Sequence, residues 1–172
     1  MDAANPSKTA GGPSGASALG TAVAPTSPAV DPASPIAVSA CLLGEPCRYD
    51  GRSQPCAAVV ELGKSHEVVP LCPEALGGLP TPRTPSEIQA GGRVVDAAGI
   101  DRTAAFETGA HKALRIAQER GCHQAILKEN SPSCGPHRIY DGTFSGTLVP
   151  GKGKTAALFM RAGFDTFSEE DL

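Results

Sequence analysis

Short apolar runs, separated by glycine, proline and charged residues, set the pattern of this 172-residue chain from residue 35 onward. Pro35-Ile-Ala-Val-Ser-Ala40 and Glu67-Val-Val-Pro-Leu-Cys72 are too short for helices and read as buried strands. Pro70 removes a donor from the second ladder, which predicts an edge position or an early end there. Between them, 57–63 reads as a short helix closed by Gly63. Asp101 is placed to cap the clearest helix, which runs to Arg120 and stops at Gly121. Its apolar positions 106, 110, 113, 114 and 117 form one stripe at helical period. A strand follows at 124–128, and Ile139-Tyr140 begins a short strand or turn ending in Asp141-Gly142. A last helix spans 154–161, closed by Gly163, and a last short strand 164–167. Strands alternating with helices predict an α/β fold, a mostly parallel sheet with helices on both faces. This is a Rossmann-like three-layer sandwich in a single domain.

The preceding segment changes the picture of domain organisation. Residues 1–35 are almost entirely Ala, Gly, Ser, Thr, Pro and Val, with no aromatic residue. Such a stretch buries too little apolar surface to offset its ordering entropy and reads as a disordered arm, leaving 36–172 as the domain. The start MDAANPSKTA has neither the basic region nor the apolar region of a secretory signal, and no run of eighteen apolar residues occurs. A net charge of −3 spread along the chain forms no basic patch, so neither nucleic acid nor membrane is expected as a partner. A soluble cytoplasmic protein is the expectation, and nothing in the pattern specifies an oligomeric state.

Six cysteines, at 41, 47, 56, 72, 122 and 134, are many for a chain expected in a reducing compartment. None forms a C-x-x-C pair, so zinc-ribbon and thioredoxin readings lack their usual signature. The predicted elements arrange them. Cys41 follows the first strand, Cys72 ends the second, and Cys134 sits in the loop after the third. Ligands of open parallel α/β sheets bind outside the carboxyl ends of the strands, so these three thiols are expected to converge. Two inorganic groups suit three thiolates: a zinc with an open position, or a cubane iron–sulfur cluster lacking its fourth thiolate. Softness of the ligands favours both metals alike. Cys122, at a helix end, and Cys56 read as structural, since free cysteine often acts as a small hydrophobe. A lone Cys134 nucleophile ranks last, because no Cys–His pair accompanies it.

Four stretches then resemble the thiouracil desulfurase family. They are V-S-A-C-L-L-G-E-P-C-R-Y-D-G (38–51), L-C-P-E-A-L-G-G-L-P-T-P-R (71–83), L-K-E-N-S-P-S-C-G (127–135) and I-Y-D-G-T-F-S-G (139–146). Many members of that family are catalogued only as a domain of unknown function. The resemblance covers roughly 36–170 and implies a [4Fe–4S] cluster held by Cys41, Cys72 and Cys134. It further implies non-redox desulfuration of a small thiolated heterocycle of the thiouracil type. Sulfur would be taken by the open iron and water would replace it. Glu74 and Ser131 occupy the places of the assisting carboxylate and serine. The alternative is a non-catalytic iron–sulfur or metal-binding module in sulfur handling, with the same ligands but no sulfide release.

The remaining polar residues are expected in supporting roles. Arg48, Asp50 and Asp141 lie in glycine-flanked turns and read as loop-fixing groups. The stiff segment 76–83 is placed to wall the site, with Arg83 pairing Glu87. Lys128 is expected to partner a carboxylate, and Cys47 is a secondary candidate for a fourth ligand or sulfur relay. Of the four histidines, at 66, 111, 123 and 137, only His137 lies near the Cys134 loop.

Overall fold

The computed structural model describes residues 30–172. The arm expected over 1–35 therefore lies, up to residue 29, outside the described residues. In chain order the elements are β1 (Ile36–Ser39), a 3-10 turn (Ala40–Leu43), α1 (Ala57–Ser65), β2 (Val68–Leu71), α2 (Pro73–Leu76), β3 (Ser86–Ile88) and β4 (Val94–Asp96). There follow α3 (Thr103–Glu119), β5 (Gln124–Leu127), β6 (Arg138–Tyr140), β7 (Leu148–Pro150), α4 (Lys154–Arg161) and β8 (Asp165–Ser168).

Four strands pair in parallel in the order β2-β1-β5-β8. Pro70 stands opposite Val38 on the edge strand β2, where its missing N–H leaves no ladder bond unmade. From β1 the chain steps outward to β2, then returns past β1 to β5. Reversing direction while keeping right-handed crossovers sends α1 to one face and α3 to the other. The two-residue alternation of the strands follows suit. Ile36, Val38 and Ile126 meet Val59 of α1, whereas Ala37, Val69, Ala125 and Leu127 meet the buried sides of α3 and α4. The predicted three-layer α/β arrangement is the observed one.

The α3 stripe is buried as its period requires: Phe106, Ala110, Ala113 and Ala117 are all within 2% of full burial. Asp101 Oδ1 accepts the Thr103 amide at 2.8 Å at its start. Gly109 of α3 has a different function. A Cβ there would lie 1.9 Å from the Pro73 carbonyl oxygen, and one on Gly77 would lie 2.2 Å from that of Ala105. The absence of both side chains lets α2 lie directly on the α3 backbone, which fixes the end of β2. Two antiparallel hairpins, β3–β4 and β6–β7, stand off the main sheet. Among the described residues no helix is long and apolar enough to cross a membrane.

Candidate active site

The sheet order places its switch point between β1 and β5, and the crevice outside their carboxyl ends opens into a cavity of about 540 Å³. Cys41 reaches it from the turn after β1, Cys72 from the end of β2 and Cys134 from the loop after β5. The predicted convergence of three thiols is therefore present, and Cys47 joins them. Cys122 instead lies in the core against α3 and α4, and Cys56 packs beside Val59.

The thiols crowd one another. Contact with Cys41 heads the causes that push Cys47 up to about 11. Contact with Cys47, then burial, pushes Cys72 up. Burial pushes Cys134 up to about 12, opposed by the hydroxyls of Ser39 and Ser133. Several thiolates in so little space repel one another and lack water, so their ionised state calls for a cationic partner. Among the described residues no three His, Cys, Asp or Glu side chains are grouped to hold a single metal. Soft thiols arrayed around a cavity of this size fit an iron–sulfur cluster.

Each thiol sits on a loop with its own hydrogen-bond frame. The Cys41 carbonyl accepts the amides of Gly44 and Gln54, at 3.3 and 3.0 Å. The Cys72 carbonyl accepts the Leu76 amide at 2.9 Å, closing α2. In the Cys134 loop, Ser131 Oγ accepts the amides of Ser133 and Cys134, each at 3.1 Å. Gly153 lets α4 approach this loop, since a Cβ there would meet the Ser133 backbone at 2.4 Å. The Ser133 carbonyl in turn accepts the Thr155 amide at 2.8 Å.

Glu74 and Ser131 both line the cavity. Arg83 Nε donates to Glu74 Oε2 at 2.7 Å, with the guanidinium 7% and the carboxylate 16% exposed. The expected Arg83–Glu87 pair is not formed. Glu87 lies 8% exposed, and its Oε2 accepts the amides of Gly142 and Phe144, each at 3.0 Å. The β3 register turns Glu87 toward the β6–β7 hairpin, and Arg83 faces α2 instead. Lys128 does partner a carboxylate, Glu169. Asp50 gathers Arg48 and Arg52, and Asp141 gathers Thr143 and Ser145, which are loop-fixing roles. His137 pairs Asp171 at 2.9 Å and does not line the cavity.

Ser39 and Glu129 frame the third cysteine and were not singled out from the sequence. Ser39 Oγ accepts the Lys128 amide at 2.9 Å and lies against the Cys134 thiol, so it ties β1, β5 and the third cysteine together. Glu129 is 2% exposed, and its Oε1 accepts the amides of Asn130, His137 and Arg138 at 3.2, 3.4 and 2.8 Å. It closes the base of the Cys134 loop. The signal for Glu129 was a charged residue directly after an apolar strand; Ser39, a small polar residue ending a strand, gave none.

These features define a class: doubly wound α/β proteins with a thiol-lined cofactor cavity at the carboxyl edge of the sheet. Residues 36–171 match the family model for 2-thiouracil desulfurase, and the chain belongs to that family. It is 44% identical over 146 residues to the uncharacterized protein YbbK of Bacillus subtilis (strain 168), spanning 80% of this chain and 97% of that protein. A solved structure of the [4Fe–4S]-dependent thiouracil desulfidase TudS matches with a TM-score of 0.76 and 48% identity. That match covers 81% of this chain and 93% of TudS.

Proposed function

We propose that this protein is a desulfurase that replaces the sulfur of a small thiolated heterocycle of the thiouracil type with oxygen, using a [4Fe–4S] cluster held by Cys41, Cys72 and Cys134. The observation that carries the reading is the meeting of three strand-end thiols with Glu74 and Ser131 in one cavity. Membership of the 2-thiouracil desulfurase family and the likeness to TudS support it. When bound, such a cluster supplies a soft Lewis acid that favours a thiocarbonyl over a carbonyl.

The chain's own groups handle positioning and protons. The reaction is hydrolytic: water gives its oxygen to the ring carbon, sulfide leaves with the protons, and no electrons are exchanged. Glu74 Oε2 is held by Arg83, and among the described residues no group is hydrogen-bonded to Oε1, whose direction that pair sets. That oxygen is the base for the incoming water. Ser131 Oγ is an acceptor twice over, which leaves its hydrogen to donate to the heterocycle. The thiols themselves lie within 8% of full burial for Cys41 and Cys134, which keeps bulk water from the cofactor.

Anaerobic purification tests the proposal. A brown protein with about four irons and four sulfides per chain, releasing sulfide from 2-thiouracil, is expected. Alanine at Cys41, Cys72 or Cys134 is expected to bleach it. A protein that stays colourless after anaerobic reconstitution overturns the reading. A brown protein that releases no sulfide from any thiolated base leaves only a cluster-binding module.

A further inference from the structure

Aromatic residues are scarce in this chain: two tyrosines, five phenylalanines and no tryptophan. Both tyrosines, Tyr49 and Tyr140, and one phenylalanine, Phe144, line the cavity. The core takes other phenylalanines, with Phe106 and Phe159 wholly buried and Phe164 nearly so. Phe144 differs from them in two costly respects. It is 40% exposed and belongs to neither core cluster, and its backbone is left-handed at φ 58°. A bulky side chain at positive φ is a rare, strained arrangement, and here no core packing offsets it.

The surrounding loop is built to hold that arrangement. The buried Glu87 carboxylate accepts the amides of Gly142 and Phe144 through one oxygen, at 3.0 Å each. Gly142 also has left-handed backbone, at φ 87°, and a Cβ there would meet the Ile88 carbonyl oxygen at 2.6 Å. Asp141 accepts from the Thr143 amide and the Thr143 and Ser145 hydroxyls, at 2.9, 2.6 and 3.3 Å. The buried Glu87 carboxylate thus fixes the backbone that carries Phe144 at the cavity wall.

Resting on the desulfurase reading, we propose that Phe144, braced by Glu87, is the aromatic wall on which the planar heterocycle stacks. A flat π system offers its face to every pyrimidine, whichever atom carries sulfur, so this residue sets the requirement for a planar ring.

Phe144→Gly separates stacking from folding, because glycine accepts the left-handed backbone that phenylalanine bears under strain. The probe is uracil, which is planar and carries no sulfur, titrated calorimetrically into the anaerobic holoprotein. The variant is expected to keep its iron and sulfide content and to melt no lower than the wild type. It is expected to bind uracil about tenfold more weakly, and to show a similar rise in KM for 2-thiouracil. Phe144→Trp is expected to bind uracil at least as well as the wild type. Unchanged uracil affinity in Phe144→Gly, or a wild-type protein that binds no uracil, overturns the inference. A wild type that binds uracil but releases no sulfide from 2-thiouracil defeats the desulfurase reading alone, and the Phe144 comparison still decides the stacking role.

Discussion

Arg83 and Glu74 form one unit with the Cys47 loop: Arg83 Nε donates to Glu74 Oε2 at 2.7 Å while Nη2 donates to the Cys47 carbonyl at 3.0 Å. Nη1 reaches the Pro80 carbonyl and the Thr81 hydroxyl, at 3.2 and 3.1 Å. A planar fork that spends its donors in this way fixes the direction of the carboxylate as well as its charge. Arg83→Ala is therefore expected to slow sulfide release about 100-fold with iron content retained. Arg83→Lys restores a charge without the fork and is expected to recover only part of that loss. Loss of iron in step with activity would assign Arg83 to the loop frame and not to Glu74.

Ser131 combines a structural and a chemical part, and substitution separates them. Ser131→Asp keeps an acceptor for the Ser133 and Cys134 amides but, as a carboxylate, has no hydrogen to donate. It is expected to retain iron and lose most sulfide release, measured in the same preparation. Ser131→Ala loses the acceptor as well, at a cost of about 1 kcal/mol, and is expected to lose part of its iron too.

The ligand set has a direct check in the fourth thiol. Cys47 lines the cavity beside Cys41 and Cys72. If three thiolates hold the cluster, Cys47→Ala keeps about four irons per chain. A colourless Cys47→Ala protein would make Cys47 a ligand in place of one of the other three.

Two glycine-to-alanine changes are expected to act in opposite directions. In α3, Gly109→Ala places a methyl group 1.9 Å from the Pro73 carbonyl oxygen, so α2 must move and take Cys72 with it. A destabilisation of about 1–3 kcal/mol and reduced iron content are expected. In α1, Gly63→Ala meets only Val68 methyl groups, at 3.7 and 3.8 Å. The helix does not close at Gly63 as expected but continues to Ser65, so its backbone there accepts alanine, and a gain of about 0.5–1 kcal/mol is expected. Urea midpoints of the two variants check both signs.

Asp96, which is 1% exposed, is expected to contribute to the acid sensitivity of the fold beside Asp50 and Asp101, whose arginine and backbone partners hold their carboxyls down to about 2. The Asp96 pKa is lowered, first by the Ile100 amide, then by Arg102 and the Ala98 amide, against the opposing effect of burial. A carboxylate whose folded value is depressed stabilises the fold above its unfolded value near 3.9, and loses that contribution as pH falls through the folded value. Asp96→Asn is thus expected to lower the melting temperature at pH 7 by about 5 °C and to narrow the gap from wild type near pH 3. Thermal scans of cluster-free protein at the two pH values measure this.

Much of the site was legible because sheet topology converts strand order into position. Once Cys41, Cys72 and Cys134 were placed after three strands, parallel pairing was enough to bring them to one edge. Glu74 and Ser131 were legible only through the family resemblance, since a carboxylate after a proline and a serine before one look like ordinary turn residues. Arg83 was assigned the wrong carboxylate because Glu74 and Glu87 are both near it in sequence, and only the turn of the chain between 76 and 86 distinguishes them. The β3–β4 and β6–β7 hairpins were read poorly, since strands of three residues carry no period.

By itself the sequence determined the strand–helix alternation that builds the main sheet, the edge position forced by Pro70, the apolar stripe of α3 and the strand ends where the thiols sit. Each of these is encoded locally, by spacing or by one residue's backbone preference. The tertiary structure decided the rest: that Cys47 joins the other thiols, that Ser39 and Glu129 frame Cys134, and that Glu87 braces Phe144. These depend on hydrogen bonds a few ångströms long between residues remote in the chain, such as the amide of Lys128 and the hydroxyl of Ser39. No periodicity records such a distance, because it exists only after the helices have packed and the loops have closed.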